Sequence, residues 1–308
     1  MLGPVLLAAA RSDGIRRAVS AVPVTRSVVA RFVAGEQLPD AVAVSAGLAA
    51  RGLGVTLDHL GEDVTDKAQA ERSRDACLAL VEALGRAGLA GDAELSVKLS
   101  AFGQALPGGH DLAHRNVLPV VEAATAAGTT VTLDMEDHTT TDSTLAIHGD
   151  LRTRFPATGA VVQSYLFRTE EDCHALAAAG ARVRLVKGAY REPAAVAYQD
   201  RRDVDRSYVR CLRILLAGEG YPMVGTHDPR LIAVTQALAA RLGRARDAYE
   251  FQMLYGIREE EQRRLAADGH RMRVYVPYGT DWYGYFMRRL AERPANLAFF
   301  ARSLATRT

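Results

Sequence analysis

Lysine is nearly missing from this chain: of 38 basic residues only Lys67, Lys98 and Lys187 are lysine, and every other cation is arginine. Coding composition accounts for most of that bias, since alanine, arginine and glycine are favoured throughout, so the exceptions carry the information. Cysteine is sparse too. Cys77, Cys173 and Cys211 are odd in number, lie far apart and form no CxxC, which argues against a disulfide framework and for thiols in a reducing cytoplasm. Charge of one sign has no surplus: 38 basic residues face 36 acidic ones, without the footprint of a nucleic-acid binder. No GxGxxG follows a β-rich run, no GxxxxGKS or GxxxxGKT occurs, and no GxSxG occurs, so a Rossmann turn, a P-loop and a hydrolase elbow are all unsupported. No Pro/Ser-rich linker, low-complexity tract or repeat divides the sequence. MLGPVLLAAARSDG has an apolar run with no basic residues ahead of it and is too short for a bilayer, which predicts an amphipathic first helix.

What is present is an alternation of short β-rich runs with Ala- and Arg-rich helical stretches. Eight runs begin at Leu53, Ala93, Thr129, Gly159, Arg182, Pro222, Tyr249 and Arg271, and each starts apolar and ends polar. The 308 residues, 48% of them hydrophobic, are enough for a large core. The predicted fold class is α/β, a (β/α)₈ barrel of residues 51–308 behind a helical arm of residues 1–50, the whole chain forming a single domain. In such a barrel the active site lies at the C-terminal strand ends.

Those ends supply Lys98, Asp134, Gln163, Arg184 with Lys187, Thr226 with His227, Gln252 and Tyr275, from the second strand to the eighth. The mouth is rich in cations and amides and suits an anionic ligand, a phosphate-bearing cofactor, or both. In TLDMEDH, Asp134, Glu136 and His138 alternate on an extended chain. That spacing fits a carboxylate–imidazole metal site, but such a cluster is more often a hydrogen-bonded strand end, and no metal is expected. A strand-end lysine can form a Schiff base, so a barrel lyase or aldolase using Lys98 or Lys187 is an alternative function. The same lysines also suit pairing with a carboxylate such as Asp134 or with a cofactor phosphate, and His227 also suits a structural role.

Near the C-terminus, YGTDWYGYFMRRLAERPAN sets adjacent arginines among tyrosines on a predicted helix that Asp281 can cap and Pro294 closes. Tyr285, Arg288, Arg289 and Glu292 share one side. An arginine fork holds a carboxylate in a fixed orientation, although Arg-Arg pairs also occur on solvated helices.

Taken together and in order, SVKLSA, LDMED, VVQSYL, RLVKGAYREP, THD, EFQMLYG and RRLAERPAN closely resemble the proline dehydrogenase family, specifically its short monofunctional bacterial branch, from about Leu53 to Asn296. The resemblance implies a distorted TIM-like barrel with a final helix over its mouth and non-covalent FAD. It implies oxidation of L-proline to 1-pyrroline-5-carboxylate, the first step of proline catabolism to glutamate. Electrons would pass to membrane quinone and the product to a separate pyrroline-5-carboxylate dehydrogenase. The protein would be cytoplasmic and peripheral at the inner face of the cell membrane. Carried over by residue, it gives Arg288 and Arg289 the proline carboxylate, with Lys98, Tyr275, Tyr285 and Leu254 lining the substrate pocket. Asp134 and Arg184 become the catalytic residues, Arg184 beside the reactive flavin nitrogen and Asp134 orienting a cation without acting as the base. Met135, Gln163, Lys187, Gly188, Ala189, Thr226, His227 and Gln252 join Arg184 in holding FAD. Two positions depart from the wider family pattern: Arg191, where fused bifunctional members carry tryptophan, and Asp228, where many carry asparagine. Both would touch the adenosine side of the cofactor.

Overall fold

The computed structural model describes residues 29–61 and 64–292, with side chains to residue 287. Most of the expected N-terminal arm, residues 1–28, lies outside the described residues, as do Pro294 and the side chains of Arg288, Arg289 and Glu292.

Eight parallel strands close into a barrel in chain order. They are β1 (Gly54–His59), β2 (Ala93–Lys98), β3 (Val131–Asp134), β4 (Gly159–Gln163), β5 (Arg182–Val186), β6 (Tyr221–Gly225), β7 (Glu250–Leu254) and β8 (Arg271–Tyr278). The described helices are α1 (Leu38–Ala49), α2 (Lys67–Arg86), α3 (Gly109–Ala126), α4 (Thr141–Arg152), α5 (Thr169–Ala178), α6 (Arg201–Ala217), α7 (Pro229–Arg241), α8 (Glu259–Ala267) and α9 (Trp282–Glu292). A helix follows every strand, and all eight predicted strands are present.

The period of two explains how each strand serves two environments. On β2, Ala93, Leu95 and Val97 are buried in the apolar layer beneath the helices, while Glu94, Ser96 and Lys98 bond across the barrel interior. Val183 and Leu185 against Arg182 and Arg184 repeat the pattern on β5. Helix α2 answers with a stripe of Ala70, Cys77, Leu80, Val81 and Leu84, at helical spacings. Each fully buried Leu or Val contributes about 1.5–3 kcal/mol relative to exposure, so this layer holds the barrel closed.

Helix starts are written into the loops after the strands. Asp66 and Asp200 accept the backbone N–H of Gln69 and Arg202, satisfying donors that α2 and α6 leave unpaired. Asp228 caps α7 in the same way, with Pro229 in the first turn.

The barrel is distorted at its seam. Helix α1 packs on β8 and β1, on the outside of the closing pair. Helix α9 instead joins an apolar cluster in which Trp282, Tyr285, Phe286 and Met287 meet Val29, Phe32 and Val33 beside Leu60, Leu254 and Ile257, at the C-terminal ends of β1 and β7. The last helix therefore lies toward the mouth. Trp282 Nε1 donates to Glu36 Oε1 at 2.9 Å, and Ala34 N–H donates to Pro277 O at 2.9 Å, tying the chain before α1 to the same end.

Candidate active site

The C-terminal ends of β1, β2, β3, β5 and β8 bring five titratable side chains and one hydroxyl into a single hydrogen-bonded group. Arg184 Nη1 donates to Asp134 Oδ1 at 2.6 Å and to Ser96 Oγ at 2.9 Å, while Ser96 Oγ donates to the same carboxylate oxygen at 2.7 Å. Lys98 Nζ lies 2.7 Å from Asp58 Oδ2 and 3.8 Å from Asp134 Oδ2. The Tyr275 hydroxyl sits between the two acids, 2.7 Å from Asp58 Oδ2 and 2.8 Å from Asp134 Oδ2. Its single proton serves one carboxylate at a time. Burial, with Asp134 and Asp58 beside it, pushes the phenol well above its ordinary pKa, so it remains a donor. The Arg184 guanidinium also lies over the Tyr275 ring, 5.4 Å from its centroid. With two acids and two cations the group has no formal net charge, which is how ionised side chains remain in a buried site.

Beneath this group runs a column of charge along the barrel interior. Glu94 accepts from Arg184 at 3.2 Å, Arg182 at 2.8 Å and Thr56 at 2.7 Å. Glu250 in turn accepts from Arg273 at 2.8 Å and Gln252 at 2.6 Å. Burial acts to raise the Glu94 pKa, but Arg273, Arg182 and Arg184 outweigh it and hold the carboxyl at about 2. Arg184 is thereby gripped from above by Asp134 and from below by Glu94.

The ends of β4 to β7 form the other side of the mouth. Gln163 Nε2 donates to Glu136 O at 2.7 Å, and its Oε1 accepts from the Tyr165 hydroxyl at 3.2 Å, so both ends of the amide are pinned. Tyr165 also reaches Glu192, which pairs with His138. Gly188 has φ +119°, and a Cβ there would lie 2.6 Å from the Tyr165 ring. Thr226 N–H donates to Gln252 O at 3.2 Å, and His227 Nε2 accepts from Leu254 N–H at 2.9 Å. Gln252 Oε1 is buried and has no hydrogen-bond partner among the described residues.

The structure thus brings Lys98, Asp134, Arg184 and Tyr275 into one group, and Thr226, His227, Gln252 and Leu254 onto one segment of rim. Lys187, Gly188 and the exposed Ala189 continue that rim past β5, while Met135 is buried one residue past β3. Tyr285 is buried on α9 in the apolar cluster against which Leu254 packs. Arg288 and Arg289 follow on the same helix, their side chains outside the described residues. The possible metal trio separates: β3 ends at Asp134, Glu136 accepts from Ser100, and His138 turns to Glu192. Both Schiff-base candidates are ion-paired, Lys98 with Asp58 and Lys187 with Asp205 and Asp228.

Sequence reasoning weighed Asp58 only within DHLGED, as a weak metal candidate, and passed over Ser96, Glu94, Tyr165 and Glu192. Asp58 lies one residue before the end of the first strand, close to where Lys98 and Asp134 end the next two, and register pairs it with Ser96 on β2. That strand-end position was the available signal.

A family model described as proline dehydrogenase matches residues 41–302. Proline dehydrogenase 1 of Bacillus subtilis is 41% identical over 280 residues, covering 91% of each chain. The proline dehydrogenase of Deinococcus radiodurans is 43% identical over 277 residues, covering 89% of each. Among solved structures, proline utilization A from Bdellovibrio bacteriovorus, inactivated by N-propargylglycine, superposes with a TM-score of 0.79 at 26% identity. That match covers 86% of this chain and 32% of the longer protein.

Proposed function

The chain belongs to the proline dehydrogenase family, and from that premise we propose that its barrel mouth oxidises L-proline to 1-pyrroline-5-carboxylate with non-covalently bound FAD. The observation that carries the reading is the Arg184–Asp134–Lys98–Tyr275 group at the C-terminal strand ends, facing a rim of amides and a cationic side chain. The chain is read as one domain that carries this reaction.

The residues present suit a flavin nucleotide. The buried Gln252 Oε1 lacks a partner, and Gln163 keeps a second amide hydrogen and lone pair beyond its two bonds, as the polar edge of a heteroaromatic ring requires. Gly188 takes a left-handed backbone packed against the Tyr165 ring, where a side chain would clash, and Lys187, Thr226 and His227 beside it offer groups for a ribityl and phosphate chain. When bound, FAD supplies the acceptor for a hydride leaving proline C5.

The chain's own residues orient and tune. Arg288 and Arg289 hold the proline carboxylate, while Tyr275 and Tyr285 wall the ring with Leu254, so that C5 is fixed toward the cofactor. Hydride loss requires a neutral amine, and the arginine pair proposed to hold the carboxylate disfavours a further positive charge on the bound substrate. Asp134 orients Arg184 and Lys98 and leaves the substrate proton alone, consistent with the three hydrogen bonds it already accepts, from Ser96, Arg184 and Tyr275, and its ion pair with Lys98. Met135 and Gln163 would contact the flavin ring.

Electrons then pass to a membrane quinone, with the protein peripheral at the cytoplasmic face, and a separate pyrroline-5-carboxylate dehydrogenase consumes the product. No helix among the described residues is long and apolar enough to cross a membrane. The reaction is tested by incubating FAD-loaded protein with L-proline and a soluble quinone and identifying the product by mass spectrometry. A cyclic imine lighter than proline by two hydrogens, formed only with FAD, supports the proposal; recovery of unchanged proline refutes it.

A further inference from the structure

At the rim beside β5 and β6, four side chains form a closed ionic square. Lys187 Nζ lies 2.5 Å from Asp205 Oδ1 on α6 and 3.3 Å from Asp228 Oδ2. Arg230, in the first turn of α7, closes the other two sides, 2.9 Å from Asp228 Oδ2 and 3.4 Å from Asp205 Oδ2. Two cations and two carboxylates leave no formal net charge. Three of its members, Asp205, Asp228 and Arg230, help line a surface cavity of about 500 Å³ together with Arg206, Val209, Arg210 and Leu231, so that side of the square is open to a ligand. Arg206 and Arg210 are themselves paired, with Asp203 and Glu170.

We infer that Asp228 is a brake on cofactor binding: its carboxylate engages Lys187 and Arg230 against the phosphates of FAD and thereby sets the affinity. The inference rests on the proposed function, in which Lys187 faces those phosphates. A pyrophosphate arriving here meets two carboxylates at close range and must compete with Asp228 for both cations. The strongest phosphate contacts are charge-assisted hydrogen bonds to Arg and Lys, and here those donors are already taken.

Asp228 has a second task, which decides how the test is built. Its Oδ1 accepts the Arg230 backbone N–H at 3.0 Å and caps α7. Asparagine caps a helix about as well as aspartate. The Asp228→Asn change therefore removes the charge while preserving the helix start, and Asp205 still anchors Lys187. Arg230 then keeps Asp205 as its one carboxylate partner and can turn to a phosphate.

The test is a titration of the full-length apoprotein with FAD, read by flavin fluorescence at low and at moderate salt. Asp228→Asn is expected to lower the dissociation constant roughly tenfold and to make binding more salt-sensitive, because net positive charge then faces the phosphates. Asp228→Ser, a second neutral cap, must shift affinity in the same direction. Lys187→Met must weaken binding. If Lys187→Met weakens binding while neither Asp228 variant tightens it, the brake is overturned and the proposed function stands. If neither wild type nor the variants bind FAD, both fall together.

Discussion

Arg184 on β5 reaches across the barrel to Asp134 on β3, donating Nη1–H to Oδ1 at 2.6 Å, and neither side chain is more than slightly exposed. The same guanidinium meets Ser96 at 2.9 Å and Glu94 at 3.2 Å, so its plane is fixed from three directions. An arginine held this firmly presents its charge to the mouth in one orientation.

Asp134→Ala should therefore lower kcat/KM for proline by about tenfold to somewhat over a hundredfold, corresponding to the ~1.5–3 kcal/mol of a charge-assisted hydrogen bond. Arg184→Lys should not restore activity, because a point charge cannot meet Ser96, Asp134 and Glu94 together. Steady-state kinetics on FAD-loaded variants check both.

Asp58 and Tyr275 should prove coupled. The tyrosine hydroxyl and Lys98 Nζ are both 2.7 Å from Asp58 Oδ2, so each single change disturbs the other's partner. A double-mutant cycle with Asp58→Asn and Tyr275→Phe should give an interaction energy of about 0.5–3 kcal/mol in kcat/KM. Strict additivity would show that the two do not share a network in solution.

The clamp read from RRLAERPAN makes its own prediction. Replacing Arg288 or Arg289 with Met should raise the KM for proline about tenfold or more through loss of a carboxylate contact. Wild-type kinetics in both variants would remove these residues from the substrate site.

Stability should fall in acid in two stages. Burial, with Arg152 adding to it, depresses the His148 imidazole to about 4 from its ordinary 6.5, against the opposing hydrogen bond to Thr158. A depressed folded pKa means that this contribution is whole above pH 6.5 and is lost as pH falls toward 4. Glu94 titrates near 2 in place of 4.5, so its contribution is whole above pH 4.5 and disappears between there and 2. Each is worth on the order of a few kcal/mol. Urea unfolding across this range should show both stages, and Glu94→Gln should flatten the second while lowering stability at neutral pH.

Much of the barrel was legible because its signals are local. Each β run carried its own alternation, and polar ends such as the Lys98, Asp134 and Gln252 positions marked the mouth before any contact was known. The network was harder to read. Asp58 meets Tyr275 across a separation of 217 residues, and Glu94 meets Arg184 across 90, so only closure of the barrel reveals them as partners. Local spacing also misled at TLDMEDH, where alternation suggested one face but β3 stops at Asp134 and the backbone turns away. Asp228 has two roles in the structure: it caps α7 ahead of Pro229, a local contact, while its bond to Lys187 depends on β5 lying next to β6.

The most direct test of the central claim is an absorption spectrum of the purified protein loaded with FAD, repeated without oxygen after L-proline is added. The account predicts flavin bands that bleach on addition of proline. Bands that persist unchanged with proline, or a protein that takes up no flavin at all, would contradict it.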